Sequence, residues 1–176
     1  MSIFLVGYRC TGKTTVAKVL SNKLGLKFVD TDQMITTEVG LDIAEFVARR
    51  GWGAFREKEK EVISKLSQLD GQVVATGGGV VTVPENLTAM RSSGWVIWLQ
   101  ASVDTVRQRM SADTTANNDR PSLTGQGRME EIARVSIERE PLYKAAAHGH
   151  IDTEGLSIAE AAEAIIALIP TIKKQG

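Results

Sequence analysis

Eight residues near the start of the chain have the types and spacing for phosphate chemistry. Gly7-Tyr8-Arg9-Cys10-Thr11-Gly12-Lys13-Thr14 reads G-x-x-x-x-G-K-[ST] directly after a short apolar run. A loop of this form wraps backbone N–H groups around nucleotide phosphates. Gly7 and Gly12 let the chain turn tightly and approach an anion with no side chain between. Lys13 brings a cation to the β- and γ-phosphates, and the Thr14 hydroxyl is suited to ligate Mg²⁺. A helix starting here aims its N-terminal N–H groups and positive dipole end at the same phosphates. Gly12, Lys13, Thr14 and Thr15 are therefore candidate contacts of a nucleoside triphosphate.

A nucleotide site does not name the second substrate. Asp30-Thr31-Asp32 closes another short segment, and ligands in open α/β sheets bind beyond the carboxyl ends of strands. Residues two apart share one side of an extended chain, which puts both carboxylates near the phosphate loop. One carboxylate near a metal and one accepting a hydrogen bond from an alcohol suits phosphoryl transfer to a hydroxyl. The alternative is that Asp32 caps the next helix. Gly77-Gly78-Gly79 follows a third apolar segment, where bare backbone offers N–H donors to a ligand or makes a plain turn. Arg56, Arg120 and Arg139 are candidate anion clamps, although spacing alone does not unite them and each singly reads as a solvated or salt-bridged arginine.

The elements that must hold these residues alternate between strand and helix, which predicts an α/β domain with a parallel sheet covered on both faces. Strands are expected at 3–6, 27–30, 73–76, 95–99 and 150–152. Helices are expected at 13–24, 33–39, 43–50, 54–69, 84–92, 103–110, 129–147 and 158–169. Pro141 is expected to kink or interrupt the long helix, and Pro170 to close the last one. Residues 31–69 hold too much helix for a single crossover, and 111–127 are polar, glycine-containing and aperiodic, the pattern of a lid.

The 176 residues fit one domain with formal net charge zero, and no basic stripe interleaved with aromatics suggests nucleic acid as partner. No apolar run approaches the ~18 residues of a membrane span. No basic n-region with a long apolar h-region opens the chain, so no signal peptide is expected. The single Cys10 excludes an internal disulfide and fits a reducing cytoplasm; within the loop it reads as a tolerated residue rather than a reactive thiol. His148 and His150 are too few for a metal site or a triad and read as surface or strand-end residues.

Six motifs in order resemble the shikimate kinase family: Gly-x₄-Gly-Lys-Thr (7–14), Phe-Val-Asp-Thr-Asp (28–32), Gly-x-Phe-Arg-x₂-Glu (53–59), Ala-Thr-Gly-Gly-Gly (75–79), Arg-Pro-x-Leu-x-Gly (120–125) and Arg-Glu-x-Leu-Tyr (139–143). The resemblance runs from about residue 3 to 153. It implies a three-layer P-loop NTPase fold with a five-stranded parallel sheet, a helical substrate-binding insertion at about 31–60 and a mobile lid at about 111–127, in one kinase domain spanning 1–176.

The implied reaction is transfer of the γ-phosphoryl group of ATP to the 3-hydroxyl of shikimate, in the route to chorismate and the aromatic amino acids. Asp32 is implied to hold the shikimate hydroxyls, Arg56 and Arg139 the carboxylate, and Gly77, Gly78 and Gly79 the pocket wall. Thr14 and Asp30 are implied to form the Mg²⁺ site, Asp30 through water. Arg120 is implied to reach the transferring phosphoryl group from the lid, and Arg109 to pack against adenine. Strand three ends in Ala75-Thr76-Gly77 where a Walker-B aspartate would stand, which the family pattern shares and which shifts metal duty to Asp30. Lys13, Asp32 and Arg120 are the expected catalytic residues of a cytoplasmic monomer whose partners are shikimate and ATP. The rival readings are a kinase of the same build acting on gluconate or a nucleoside monophosphate, and a nucleotide-binding module without catalysis.

Overall fold

The computed structural model describes residues 1–112 and 128–173. The elements run β1 (Ser2–Val6), α1 (Lys13–Leu24), β2 (Lys27–Asp30), α2 (Thr31–Val39), α3 (Ile43–Leu66), β3 (Gln72–Ala75), a 3₁₀ turn at Val80–Thr82, α4 (Pro84–Ser93), β4 (Gly94–Gln100), α5 (Val103–Ala112), α6 (Arg128–Ala146), β5 (Gly149–Asp152) and α7 (Ile158–Lys173). The five strands form one sheet in the order β2-β3-β1-β4-β5, parallel throughout, as expected. Among the described residues no helix is long and apolar enough to cross a membrane.

Alternation along the strands builds the two halves of the core. Phe4, Val6, Val74 and Val96 face one side, against Phe55 and Ile63 of α3, Met90 of α4 and Tyr143 of α6. Ile3, Leu5, Val73, Ile97 and Leu99 face the other, against Val16 and Leu20 of α1 and Ala162 and Ile165 of α7. A parallel sheet needs both faces covered, and β1, the middle strand, is buried along its whole length. From β1 the chain moves outward past the place of β3 to β2; every later crossover moves back the other way. The loops leaving β1 and β3 therefore diverge from adjacent strand ends, the kind of switch point at which ligands bind in open sheets.

Three local expectations differ from the structure. The helices expected at 43–50 and 54–69 join into α3, bent at Gly51, whose φ of 79° and ψ of 166° only glycine adopts readily. The bend takes one residue rather than a loop. Pro141 neither breaks nor ends α6, which continues to Ala146. The N–H it lacks would have reached the carbonyl of Ile137, whose side chain is 69 % exposed, so that turn lies toward solvent. Likewise α7 runs past Pro170 to Lys173. His150 is exposed at the edge strand, whereas His148 is half-buried and its Nδ1 accepts from the Val96 N–H at 3.0 Å.

Candidate active site

The loop between β1 and α1 is seated by contacts that demand its glycines. Gly7 has φ 145°, and a Cβ there would lie 2.5 Å from the Leu99 carbonyl oxygen of β4. Gly12 enters α1 at φ 93°. Cys10 holds the left-handed region at φ 60°, so its position is less permissive than its place as a variable residue suggests. The Thr11 hydroxyl donates to the Tyr8 carbonyl at 2.9 Å. Lys13, 8 % exposed, donates from Nζ to the carbonyls of Gly7 at 2.8 Å and Tyr8 at 2.6 Å, so its cation lies within the curl of its own loop.

Asp30 and Asp32 part company at the end of β2. The chain does not stay extended, because α2 begins at Thr31. Asp30 is the cap: its Oδ1 accepts from the N–H groups of Asp32 at 3.0 Å and Gln33 at 3.3 Å. Its Oδ2 accepts from the Thr14 hydroxyl at 2.9 Å. Thr14 and Asp30 thus converge as a pair of oxygen donors beside the phosphate loop. Among the described residues no group of three or more His, Cys, Asp or Glu is placed to hold a metal. A two-oxygen protein site with phosphate and water completing the shell is the usual arrangement for Mg²⁺.

Asp32, released from capping, lines a pocket with Arg56, Gly77, Gly78, Gly79 and Arg139. Residues spread over more than half the chain meet there. The glycines are required by what presses on them. A Cβ at Gly77 would sit 2.6 Å from Glu59 Oε1 and 2.9 Å from Asp32 Oδ1, and one at Gly79 would sit 2.1 Å from Arg56 Nη2. The segment is also pinned by its backbone: Gly77 N–H donates to Thr31 Oγ1 at 3.0 Å. The Gly78 carbonyl accepts from Arg139 Nη1 at 3.1 Å and from Tyr143 Oη at 2.5 Å. Arg139 reaches the pocket from α6, and Arg56 from α3, on the turn between the Trp52 and Phe55 rings.

Glu59 was not singled out from the sequence and is central here. Its side chain is fully buried, and its Oε2 accepts from Arg56 Nη1 at 2.6 Å. Burial pushes its carboxyl above the usual carboxylate range, against the opposing pull of Arg56 and Arg139. It orients the Arg56 guanidinium within the pocket wall. The spacing Arg56–Glu59 (i, i+3) and Arg139–Tyr143 (i, i+4) is the signal that could have shown both pairs. Tyr8 and Arg9 of the phosphate loop also line this pocket, and nothing local in their sequence shows it.

On the other side of the loop, Cys10, Gly12, Thr15, Arg109, Thr153 and Ile158 line a second cleft. Arg109 Nη1 donates to the Cys10 carbonyl at 3.3 Å and to Thr153 Oγ1 at 3.4 Å. That places its guanidinium plane at the wall of the cleft, with Leu156 and Ile158 as apolar surface. The Glu154 carboxylate ties the β5–α7 turn to the start of α5, accepting from Ser102 N–H at 2.7 Å and the Thr105 hydroxyl at 2.8 Å. Arg120 lies outside the described residues. The geometry is that of a two-substrate site. The phosphate loop has a cleft on one side and, on the other, a small pocket lined by the carboxylates of Asp32 and Glu59 and the guanidinium-bearing Arg9, Arg56 and Arg139.

A family model for shikimate kinase matches residues 9–170. The shikimate kinase of Nitratidesulfovibrio vulgaris is 41% identical over 167 residues, 95% of this chain and 94% of that protein. Shikimate kinase 2 of Syntrophotalea carbinolica is 40% identical over 175 residues, 99% of this chain and 98% of that protein. The solved structure of the Acinetobacter baumannii shikimate kinase in complex with shikimate superposes with a TM-score of 0.89 at 32% identity, covering 97% of this chain and 93% of that one. A gluconokinase from Sinorhizobium meliloti superposes with a TM-score of 0.60 at 15% identity, a likeness of fold alone. With a match over nearly its whole length, this chain belongs to the shikimate kinase family.

Proposed function

We propose that the chain transfers the γ-phosphoryl group of ATP to the 3-hydroxyl of shikimate, yielding shikimate 3-phosphate and ADP on the route to chorismate. The observation that carries this reading is the meeting of Asp32, Arg56, Arg139 and Gly77–Gly79 in one pocket beside the phosphate loop. That set matches an acceptor with hydroxyls at one end and a carboxylate at the other. Planar guanidinium groups suit a carboxylate, and a carboxylate suits hydroxyl donors.

Phosphoryl transfer passes through a loose transition state, so positioning and charge stabilisation contribute more than proton removal. Asp32 orients the 3-hydroxyl toward the γ-phosphorus and accepts its proton as the bond forms. Arg56, steadied by Glu59, and Arg139, steadied by the Gly78 carbonyl, fix the carboxylate and with it the ring. Lys13 turns from its loop carbonyls to the β/γ-oxygens when phosphate replaces them. Thr14 and Asp30 fit a hard cation by donor type and would hold Mg²⁺, which when bound neutralises charge on the β- and γ-phosphates. Arg109 packs against the base. Arg120 is assigned to the transferring phosphoryl group on the motif alone.

Residues 31–60 act as the acceptor-binding insertion. Both sites are built from one chain, which supports a monomeric enzyme, and the single cysteine fits work in a reducing cytoplasm. The product tests the reading: NMR of shikimate incubated with the enzyme and ATP should show phosphate on the 3-oxygen. Phosphate on another hydroxyl, or none, would overturn it.

A further inference from the structure

Tyr143 lies on α6 one turn after Arg139 and is buried. Its ring stacks on Trp98 of β4 at a centroid distance of 5.8 Å and 23° between planes. A phenylalanine would make the same stack, so packing alone does not ask for the hydroxyl. Burial pushes that phenol up to about 12, which keeps it a neutral donor. Its Oη donates to the Gly78 carbonyl at 2.5 Å, joining α6 to the middle of the glycine wall.

The same carbonyl carries Arg139, whose Nη1 donates to it at 3.1 Å. A carbonyl oxygen has two lone pairs, and here both are in use. Residues four apart share one face of a helix, so the phenol and the guanidinium reach Gly78 side by side. Arg139 also bears on the phenol oxygen directly, by charge and by a hydrogen bond. The other two arginines of the pocket are paired with carboxylates, Arg9 with Glu131 and Arg56 with Glu59. Arg139 rests on a neutral carbonyl instead, so its place depends on what fixes that carbonyl. A long, rotamer-rich side chain seated on a glycine turn would otherwise move with the turn. If Arg139 were also the only side chain bonded to this oxygen, shifting toward a ligand would leave a buried acceptor without its partner, which is costly. The Tyr143 hydroxyl removes both problems, because its ring is locked in the core.

We propose that Tyr143 is a positioning residue for the acceptor: by holding the Gly78 carbonyl, its hydroxyl fixes the point on which Arg139 rests and leaves the other guanidinium N–H groups to the acceptor carboxylate. The hydroxyl acts through Arg139 and does not itself touch the ligand. This rests on the reading of the pocket as the shikimate site.

The test is a double-mutant cycle on Tyr143→Phe and Arg139→Ala, read as KM for shikimate and as the thermal shift that shikimate produces. Tyr143→Phe alone should raise KM for shikimate roughly three- to tenfold, the size of one hydrogen bond. KM for ATP and kcat should stay within about twofold, the scatter expected of sites that share no partner. In the Arg139→Ala background the same change should move KM for shikimate by less than about twofold, because the guanidinium it steadies is gone. A hydroxyl that only held the fold would lower the melting temperature in both backgrounds and would not raise KM for shikimate selectively. A full penalty in the Arg139→Ala background, an unchanged shikimate KM, or a Tyr143→Phe chain that does not fold would each overturn the inference. If the wild-type enzyme turns shikimate over and Tyr143→Phe keeps its KM, only this inference fails; if the wild type does not, the reading of the pocket fails first.

Discussion

A methyl group added at position 79 has to occupy space that Arg56 fills. Gly79 has φ −100° and ψ 2°, which alanine adopts without strain, so the backbone is no obstacle. The added Cβ would lie 2.1 Å from Arg56 Nη2 and 2.4 Å from its Cζ. Ordinary carbon contacts are about 3.5–4.0 Å, so the guanidinium must retreat by more than about 1 Å. It has little room, held between the Trp52 and Phe55 rings and bonded to Glu59 at 2.6 Å. Its retreat breaks that bond and strands a fully buried carboxylate. Removing one partner of a buried pair costs about 3–5 kcal/mol. Here Arg56 moves rather than vanishes, and Glu59 can take a proton, so a loss of about 1–3 kcal/mol is expected. The acceptor loses one charge-assisted clamp, about 2–3 kcal/mol, which is roughly 30- to 150-fold in KM.

The assay is steady-state ADP release with shikimate varied at saturating ATP, then the reverse, alongside thermal unfolding. KM for ATP should change by less than about threefold, because Arg56 is not in the nucleotide cleft. Gly78→Ala is the control: its Cβ would meet Arg9 N at 3.4 Å and Gly7 O at 3.5 Å, ordinary contacts. A wild-type shikimate KM for Gly79→Ala, or an equal loss for Gly78→Ala, would show that the glycine wall and Arg56 are not coupled as described.

Asp32→Asn should lower kcat by about 10²–10⁴ with nearly normal ATP affinity; loss of ATP binding instead would relocate Asp32 to the donor side. Lys13→Ala should lower kcat by about 10²–10⁵ and also shift the melting temperature, since the Gly7 and Tyr8 carbonyls lose their donor. Unchanged turnover would contradict the first expectation, and an unchanged melting curve the second. Both tyrosines titrate late: burial raises Tyr8 and pushes Tyr143 up to about 12. A raised phenol pKa contributes stability that is complete below the unfolded value near 10 and is lost as pH climbs toward the folded value. Native protein should show less phenolate absorbance at pH 10.0 than two free tyrosines, which are half ionised there, with the remaining signal rising together with alkaline unfolding. A half-developed signal in the folded protein would mean that the phenols are reached by solvent.

The donor half of the site was legible because its contacts are local. Gly7 to Thr14 read as a phosphate loop by spacing, and strands buried on both faces announce themselves as short apolar runs. The strand ends came within about one residue for the same reason. Local contrast failed where one residue did two things. Gly51 ends one helix turn and starts the next, which as a pattern looks like a loop. Asp30 and Asp32 are both good caps by type, and only the end of β2 decides that Asp30 serves. Pro141 is tolerated in α6 because the side chains after it, Leu142 and Tyr143, pack into the core and hold the helix together. The acceptor half was visible as motifs rather than as physics. Nothing in single-residue spacing tells that Arg56 and Arg139 meet, since α3 and α6 approach only after the sheet has formed. The dependence of Arg56 on Glu59, and of Arg139 on the Gly78 carbonyl, is tertiary in the same way.

The assignment of donor and acceptor pockets to ATP and shikimate meets its plainest trial in ADP formation from ATP, measured with and without shikimate and with gluconate or a nucleoside monophosphate in its place. Shikimate should raise the rate by orders of magnitude over ATP alone, and the other acceptors should leave it near the background. An equal rate with and without shikimate, or a faster one with either alternative, would contradict it.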